Sequence, residues 1–203
     1  MIELAHKIIR EQIRKYRAGY KSPEEIDNAL YRSLIDFYNL LFMPKINSQE
    51  LSRYIKEQVC NISSTNSFSL APDFNKPIII KSNYVGNVYE GEILEEREYL
   101  DRINSAILTP DLEFPIARIL NGNIEFFPSD AGNYIFSYYR SPVKPKFNYT
   151  VPDGRNVVYT SVGSIDLDIN PNSINNVIVG SLGYLGISLK EDSLLLEKQV
   201  SGN

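Results

Sequence analysis

Six carboxylates crowd residues 90–101: Glu90, Glu92, Glu95, Glu96, Glu98 and Asp101. Two of them at a set separation, one with a raised pKa, would supply the acid and base of a glycoside hydrolase. Spacing alone meets neither condition, and glutamates at a helix entry are favoured there by the helix dipole, so the cluster reads as a solvated helix start. Asp166 and Asp168 alternate on a predicted strand and with Asn170 offer oxygens to a hard cation, but the offsets lack the further ligands and central glycine of a calcium loop. One histidine, His6, and one cysteine, Cys60, exclude an intrachain disulfide and argue against a Cys/His zinc site or a Ser/His or Cys/His nucleophile pair. His6, beside Lys7, is expected on an exposed helix face, and Cys60 as a small buried thiol. Gly183 and Gly186 follow neither a phosphate-loop nor a dinucleotide pattern. No catalytic, cofactor-binding or metal-binding residue is assigned, and the chain reads as a non-enzyme.

The elements that would carry these residues begin with an amphipathic helix over 3–19, in which Leu4, Ile8, Ile9, Ile13 and Tyr16 form one stripe and Gly19 supplies a stop. Ser22-Pro23-Glu24-Glu25 places a hydroxyl cap, a proline and a returning carboxylate at the start of a second helix, whose face is Ile26, Leu30, Leu34, Phe37 and Leu41. Asn47 and Glu50 repeat the capping logic ahead of Leu51, Tyr54, Ile55 and Val59, which predict a third helix. Residues 61–76 are polar and aperiodic and read as a linker or loop. Beyond it come a short strand at 77–81, a strand or irregular lead-in at 85–94 and a helix at 95–106. Asn121-Gly122 can take the positive φ angles of a tight hairpin turn between 116–120 and 123–127, and 133–140 adds a strand. Pro142 and Pro145 keep 141–149 from continuing a central strand, and 141–155 reads as an extended arm. Short strands at 156–160 and 164–169 precede a helix opened by Asn170-Pro171, whose three glycines suggest close packing, and a last turn or two opened by Glu191-Asp192. The expected fold is therefore α+β: an N-terminal helical bundle over 1–60, the linker 61–76, and a mixed region over 77–203 with a small antiparallel sheet and C-terminal helices.

The chain of 203 residues has a net charge of −4 and an ordinary apolar content of 43%, which speak for a folded domain and against a general nucleic-acid binder. Charge is uneven, since Lys7, Arg10, Arg14, Lys15, Arg17 and Lys21 face only Glu3 and Glu11 in the first 21 residues. That basic stretch reads first as a solvated helix face, and Arg10, Arg14 and Arg17 are its candidate contacts to a DNA channel or to an acidic partner. Fourteen tyrosines and no tryptophan favour contact surfaces that join apolar area to a hydroxyl. Tyr138, Tyr139, Arg140, Pro142, Pro145, Phe147 and Tyr149 are the candidate interface. The absence of an 18-residue apolar run and of a signal-peptide pattern predicts synthesis in the cytoplasm and no membrane partner.

In order along the chain, Glu95-Glu96-Arg97-Glu98-Tyr99-Leu100-Asp101-Arg102-Ile103-Asn104-Ser105, Phe114-Pro115-Ile116-Ala117-Arg118, Phe127-Pro128, Tyr138-Tyr139-Arg140-Ser141-Pro142 and Pro145-Lys146-Phe147-Asn148-Tyr149 resemble virion structural proteins of crAss-like and related tailed bacteriophages. Gly19-Tyr20-Lys21-Ser22-Pro23-Glu24-Glu25-Ile26-Asp27-Asn28-Ala29 through Asp36-Phe37-Tyr38-Asn39 is similar to their opening segment, and residues 174–189 and 194–198 to their closing helices. The resemblance implies a head-to-tail connector, or neck ring, protein beneath the portal, with no catalytic residues and no cofactor. It implies self-association into a ring of about twelve copies, contact with the portal and with neighbouring connector or tail proteins, non-specific contact with packaged DNA, and a role in virus assembly and genome ejection. A tail or appendage subunit that binds protein or carbohydrate is the alternative.

Overall fold

The structure, a computed structural model, describes residues 1–43, 49–61, 66–129, 133–154 and 156–187. The chain forms two compact units: one built from Met1–Glu50 and Pro142–Asn203, the other from Leu51–Ser141, so that the second is inserted into the first.

The discontinuous unit is helical. Helix α1 (Ile2–Lys15) buries Ile2, Ala5, His6, Ile9 and Ile13 along one face. It ends in a reciprocal pair of bonds, Ala18 N–H to Ile13 O at 3.1 Å and Arg17 N–H to Arg14 O at 3.2 Å, with Arg17 left-handed at φ 51°. Helix α2 (Pro23–Leu40) starts with the predicted capping box: Ser22 Oγ accepts from Glu25 N–H at 3.2 Å and Glu25 accepts from Ser22 N–H at 2.7 Å. Helix α4 (Ile174–Tyr184) follows a 3-10 turn (Pro171–Ser173) and packs on α2. Of the three glycines read as close-packing, Gly180 meets that description: a Cβ there would lie 2.3 Å from Ser33 Oγ. Gly183 has open space, and Gly186 serves the turn after the helix at φ 81°. Leu30, Leu34, Val177 and Leu182 share one core with Ile9, Ile26, Phe147, Leu167 and Ile169; burial of each such aliphatic side chain contributes about 1.5–3 kcal/mol. Strands β8 (Tyr149–Thr150) and β9 (Val158–Tyr159) form a short ladder, while the predicted strand at 164–169 is reduced to one bridge between Ile165 and Lys146.

The inserted unit is a sheet. Its strands are β1 (Ile55–Asn61), β2 (Ser67–Ser69), β3 (Phe74–Tyr84), β4 (Asn87–Ile93), β5 (Ile116–Leu120), β6 (Asn123–Phe127) and β7 (Asn133–Arg140), in the order β1-β7-β3-β4-β5-β6-β2. All pairings are antiparallel except β4 with β5, between which α3 (Glu96–Ile103) crosses over. One core takes Cys60, Ile80, Ala117, Ile124, Phe126, Tyr134, Phe136 and Tyr138, with Phe68 and Ile93 packed against it, so every strand turns a side chain to the same interior. Gln58 Nε2 donates to Ser69 O at 3.1 Å and joins the two edge strands, making the sheet nearly closed and barrel-like.

This overturns the expected helical bundle with a small antiparallel sheet. The predicted third helix is a 3-10 turn (Leu51–Tyr54) running into β1, which pairs with β7 from Ile55↔Tyr139 to Asn61↔Asn133. The misreading has a simple cause: Ile55 and Val59, four apart, share a face in a strand as well as in a helix. Both are exposed, at 42% and 62%, while Cys60 on the other face is fully buried. The polar stretch read as linker holds β2 and the start of β3. The Asn121-Gly122 hairpin is present as predicted, with φ 51° and 77° and Leu120 opposite Asn123. The expected cap at Asn47 and the last turns from Glu191 lie outside the described residues.

Candidate interaction faces and the anchored arm

The arm after Ser141 is fastened to its own helical unit. Asp27, on the second turn of α2, presents both carboxylate oxygens inward: Oδ1 lies 2.7 Å from His6 Nε2, and Oδ2 accepts the Phe147 N–H at 2.9 Å. The His6 ring stacks on Phe147 with centroids 4.1 Å apart and planes at 14°, and the Arg10 guanidinium, one helical turn along α1, sits 5.1 Å from the same ring. His6 is 1% exposed, correcting the expected exposed position; its Nδ1 is buried without a hydrogen-bond partner. Burial lowers the His6 pKa against the upward pull of Asp27. A neutral imidazole with its proton on Nε2 satisfies this geometry, donating to the carboxylate and leaving Nδ1 as a bare lone pair. No residue spacing announces the cluster, because its members lie on three separate segments.

Other carboxylates have structural partners in the helical unit. Asp166 Oδ1 accepts the Ile2 N–H at 2.5 Å and the Leu167 N–H at 3.0 Å, and Asp168 accepts the Val143 N–H at 3.2 Å. Both carboxylates thus serve as acceptors for backbone donors of their own chain.

The candidate interface residues divide by exposure. Phe147 is buried against His6, and Pro142 and Pro145 are also buried. Tyr149 is 42% exposed, with Val143 and the lysines 144 and 146 exposed along the same segment. In the sheet unit Tyr138 is 3% exposed; its hydroxyl donates to Asp73 at 3.0 Å, and burial, with that carboxylate, pushes its pKa up to about 12. Tyr139 is half-buried, and the Arg140 guanidinium lies 5.4 Å over Tyr54. Cys60 is enclosed among the strands, where burial pushes its thiol up to about 11.

Of the basic residues on α1 and in the turn after it, Arg10 is half-buried against Phe147, while Arg14 and Arg17 are exposed. Arg10, Arg14, Tyr20 and Lys21 line a surface cavity of about 280 Å³ with Asn156 and Val157. A left-handed arginine is a costly choice at a helix end. The turn after α4 has the same bond pattern, Ile187 N–H to Leu182 O and Gly186 N–H to Gly183 O, and uses glycine there.

The carboxylates of 90–101 lie along β4 and α3 in the sheet unit. Arg102 reaches Glu92 at 3.4 Å, and Arg118 binds Glu125 at 2.7 Å and Glu96 at 3.5 Å while covering Tyr99 at 4.8 Å. Beside them Ile107, Leu108, Phe114 and Pro115 border an open groove of about 430 Å³, of which Glu90 and Glu92 form part of the wall. Sequence reading overlooked the groove because its apolar residues fall in a loop without periodicity. Among the described residues no helix is long and apolar enough to cross a membrane. No family model and no curated protein matches this sequence.

Proposed function

We propose that this chain is a virion structural subunit of a tailed bacteriophage that assembles as a homo-oligomeric ring in the head-to-tail connector beneath the portal. The observation that carries the reading is the apolar surface left open at fixed loops in each unit: Ile107 and Phe114 in the sheet unit are 91% and 71% exposed, and Tyr20 and Val162 in the helical unit are 82% and 78% exposed. Apolar side chains grouped at one groove, as Ile107 and Phe114 are, mark protein contacts. The ordered series of phage-like motifs supports the choice of assembly. The arm contributes by stiffness: with Phe147 held by His6 and Asp27, the exposed side chains of Val143 and Tyr149 are offered to a neighbour without the entropy cost of ordering a free segment.

Mass spectrometry of purified particles of the encoding phage, quantified against the portal subunit, tests the proposal. A ratio near one supports a ring in register with the portal. A multiple assigns the chain to the tail or an appendage, and its absence from particles removes the reading.

A further inference from the structure

The groove beside α3 is built to receive something basic as well as apolar. Its apolar rim is held in place from below, since Ser105 Oγ accepts the N–H groups of Ile107 and Leu108 at 3.3 and 3.0 Å, and Asp111 Oδ1 accepts those of Glu113 and Phe114 at 2.9 and 2.8 Å. These side chains project into solvent from a hydrogen-bonded loop. Residues 87–114 carry eight carboxylates against two arginines, a local balance of −6. Glu90, Glu95, Glu98, Asp101 and Glu113 are exposed and make no ion pair among the described residues. An occupant must therefore bring positive charge and some apolar area to the same surface.

The chain itself carries that surface. Residues 1–21 have a balance of +4, and Leu4, Lys7, Glu11 and Arg14, at steps of three and four, form one exposed outer face of α1. Lys7 and Arg14 make no ion pair among the described residues, and Leu4, Tyr16 and Tyr20 add exposed apolar groups. The exposed valines 151, 158 and 162 of the helical unit offer apolar area without this run of cations.

We infer that the groove bordered by Ile107, Leu108 and Phe114 receives the basic outer face of α1 from a second copy of this chain. This deepens the ring reading and rests on it for the choice of a second copy as occupant. A groove on one subunit filled by a helix of the next is a head-to-tail contact, which closes into a ring when its rotation allows.

Sedimentation velocity of the full chain, from about 1 to about 500 μM and from about 50 to about 500 mM salt, tests the contact. Assembly is expected, weaker at high salt. Reversing charge on the helix (Lys7→Glu with Arg14→Glu) or on the groove (Glu90→Lys with Glu113→Lys) should each weaken it at least about tenfold. All four side chains are exposed, so folding should persist, with unchanged circular dichroism as the control. Mixing the two reversed variants should restore assembly between unlike copies. A chain that stays monomeric throughout, assembly indifferent to both reversals, or a mixture that does not recover overturns the inference. The ring reading stands or falls separately, on the chain's abundance in particles.

Discussion

Replacing Asp27 by asparagine should destabilise the helical unit far more than its near-identical shape suggests. The carboxylate accepts from two buried donors at once, His6 Nε2–H at 2.7 Å and Phe147 N–H at 2.9 Å. Asparagine has one acceptor oxygen. If that oxygen keeps Phe147, the amide group faces His6 and drives its proton to Nδ1, an atom with no partner; if it keeps His6, the Phe147 N–H is orphaned. Either arrangement leaves one buried donor unsatisfied, at about 1–3 kcal/mol, and gives up the charge assistance of the other bond, so a total of about 2–3 kcal/mol is expected. Urea denaturation followed by far-ultraviolet circular dichroism measures this as a lower midpoint at unchanged slope. The pH dependence supplies a second readout. Because burial holds folded His6 below its ordinary value of 6.5, the unfolded chain takes up the proton first. The stability contributed by neutral His6 is complete above about pH 6.5 and falls as pH drops towards the folded value, by at most about 1.4 kcal/mol per pH unit. Removing the Asp27 charge lowers folded His6 further and extends this acid limb downward. His6→Gln keeps an amide donor for Asp27 but cannot titrate, so it should abolish the limb. An asparagine variant within about 0.5 kcal/mol of the parent, or an acid limb that survives His6→Gln, would show that the buried pair does not hold the arm in this way.

Arg17→Gly should stabilise the helical unit by about 1 kcal/mol, by relieving a left-handed arginine where the turn after α4 already uses glycine; a lower urea midpoint would count against this. Gly91→Ala should have the opposite effect in the sheet unit, because the new Cβ would lie 2.2 Å from Pro115 O and 2.9 Å from Ile80 Cδ1 at the only parallel pairing among the described strands. A loss of about 1–3 kcal/mol is expected in thermal melts, and an unchanged melting temperature would show that β4 and β5 separate freely. Cys60 should resist iodoacetamide at pH 8 in the folded chain and react at once in denaturant, since burial raises its thiol to about 11; rapid alkylation of the native protein would contradict the enclosed position.

Local chemistry was legible in the sequence wherever it is self-contained. The Ser22–Glu25 box and the Asn121-Gly122 turn are each decided within four residues, and both are present at the predicted positions. What pairs with what was not legible. β7 lies between β1 and β3, partners some 50 to 80 residues earlier in the chain, and the β-branched and polar residues of 55–61 satisfy helical and strand spacing alike until that partner is known. The same limit hid the buried His6–Asp27 pair, since His6, Asp27 and Phe147 belong to two helices and an arm that only the fold brings together.

The insertion makes the arm the joint at which the helical unit is completed. The sheet unit leaves the helical unit after Glu50 and returns at Pro142, so residues 142–149 are the first stretch of chain to re-enter it. Asp27 binds that stretch by a backbone N–H, which any residue but proline could donate, while His6 and Arg10 bind it by a ring, which only an aromatic could supply. Phe147→Leu therefore separates the two. It should keep the Asp27 bond and lose the stacking, with a cost of about 1 kcal/mol, whereas Asp27→Asn costs at least twice as much. Equal losses from the two variants would mean that packing alone, without the buried carboxylate, fastens the arm.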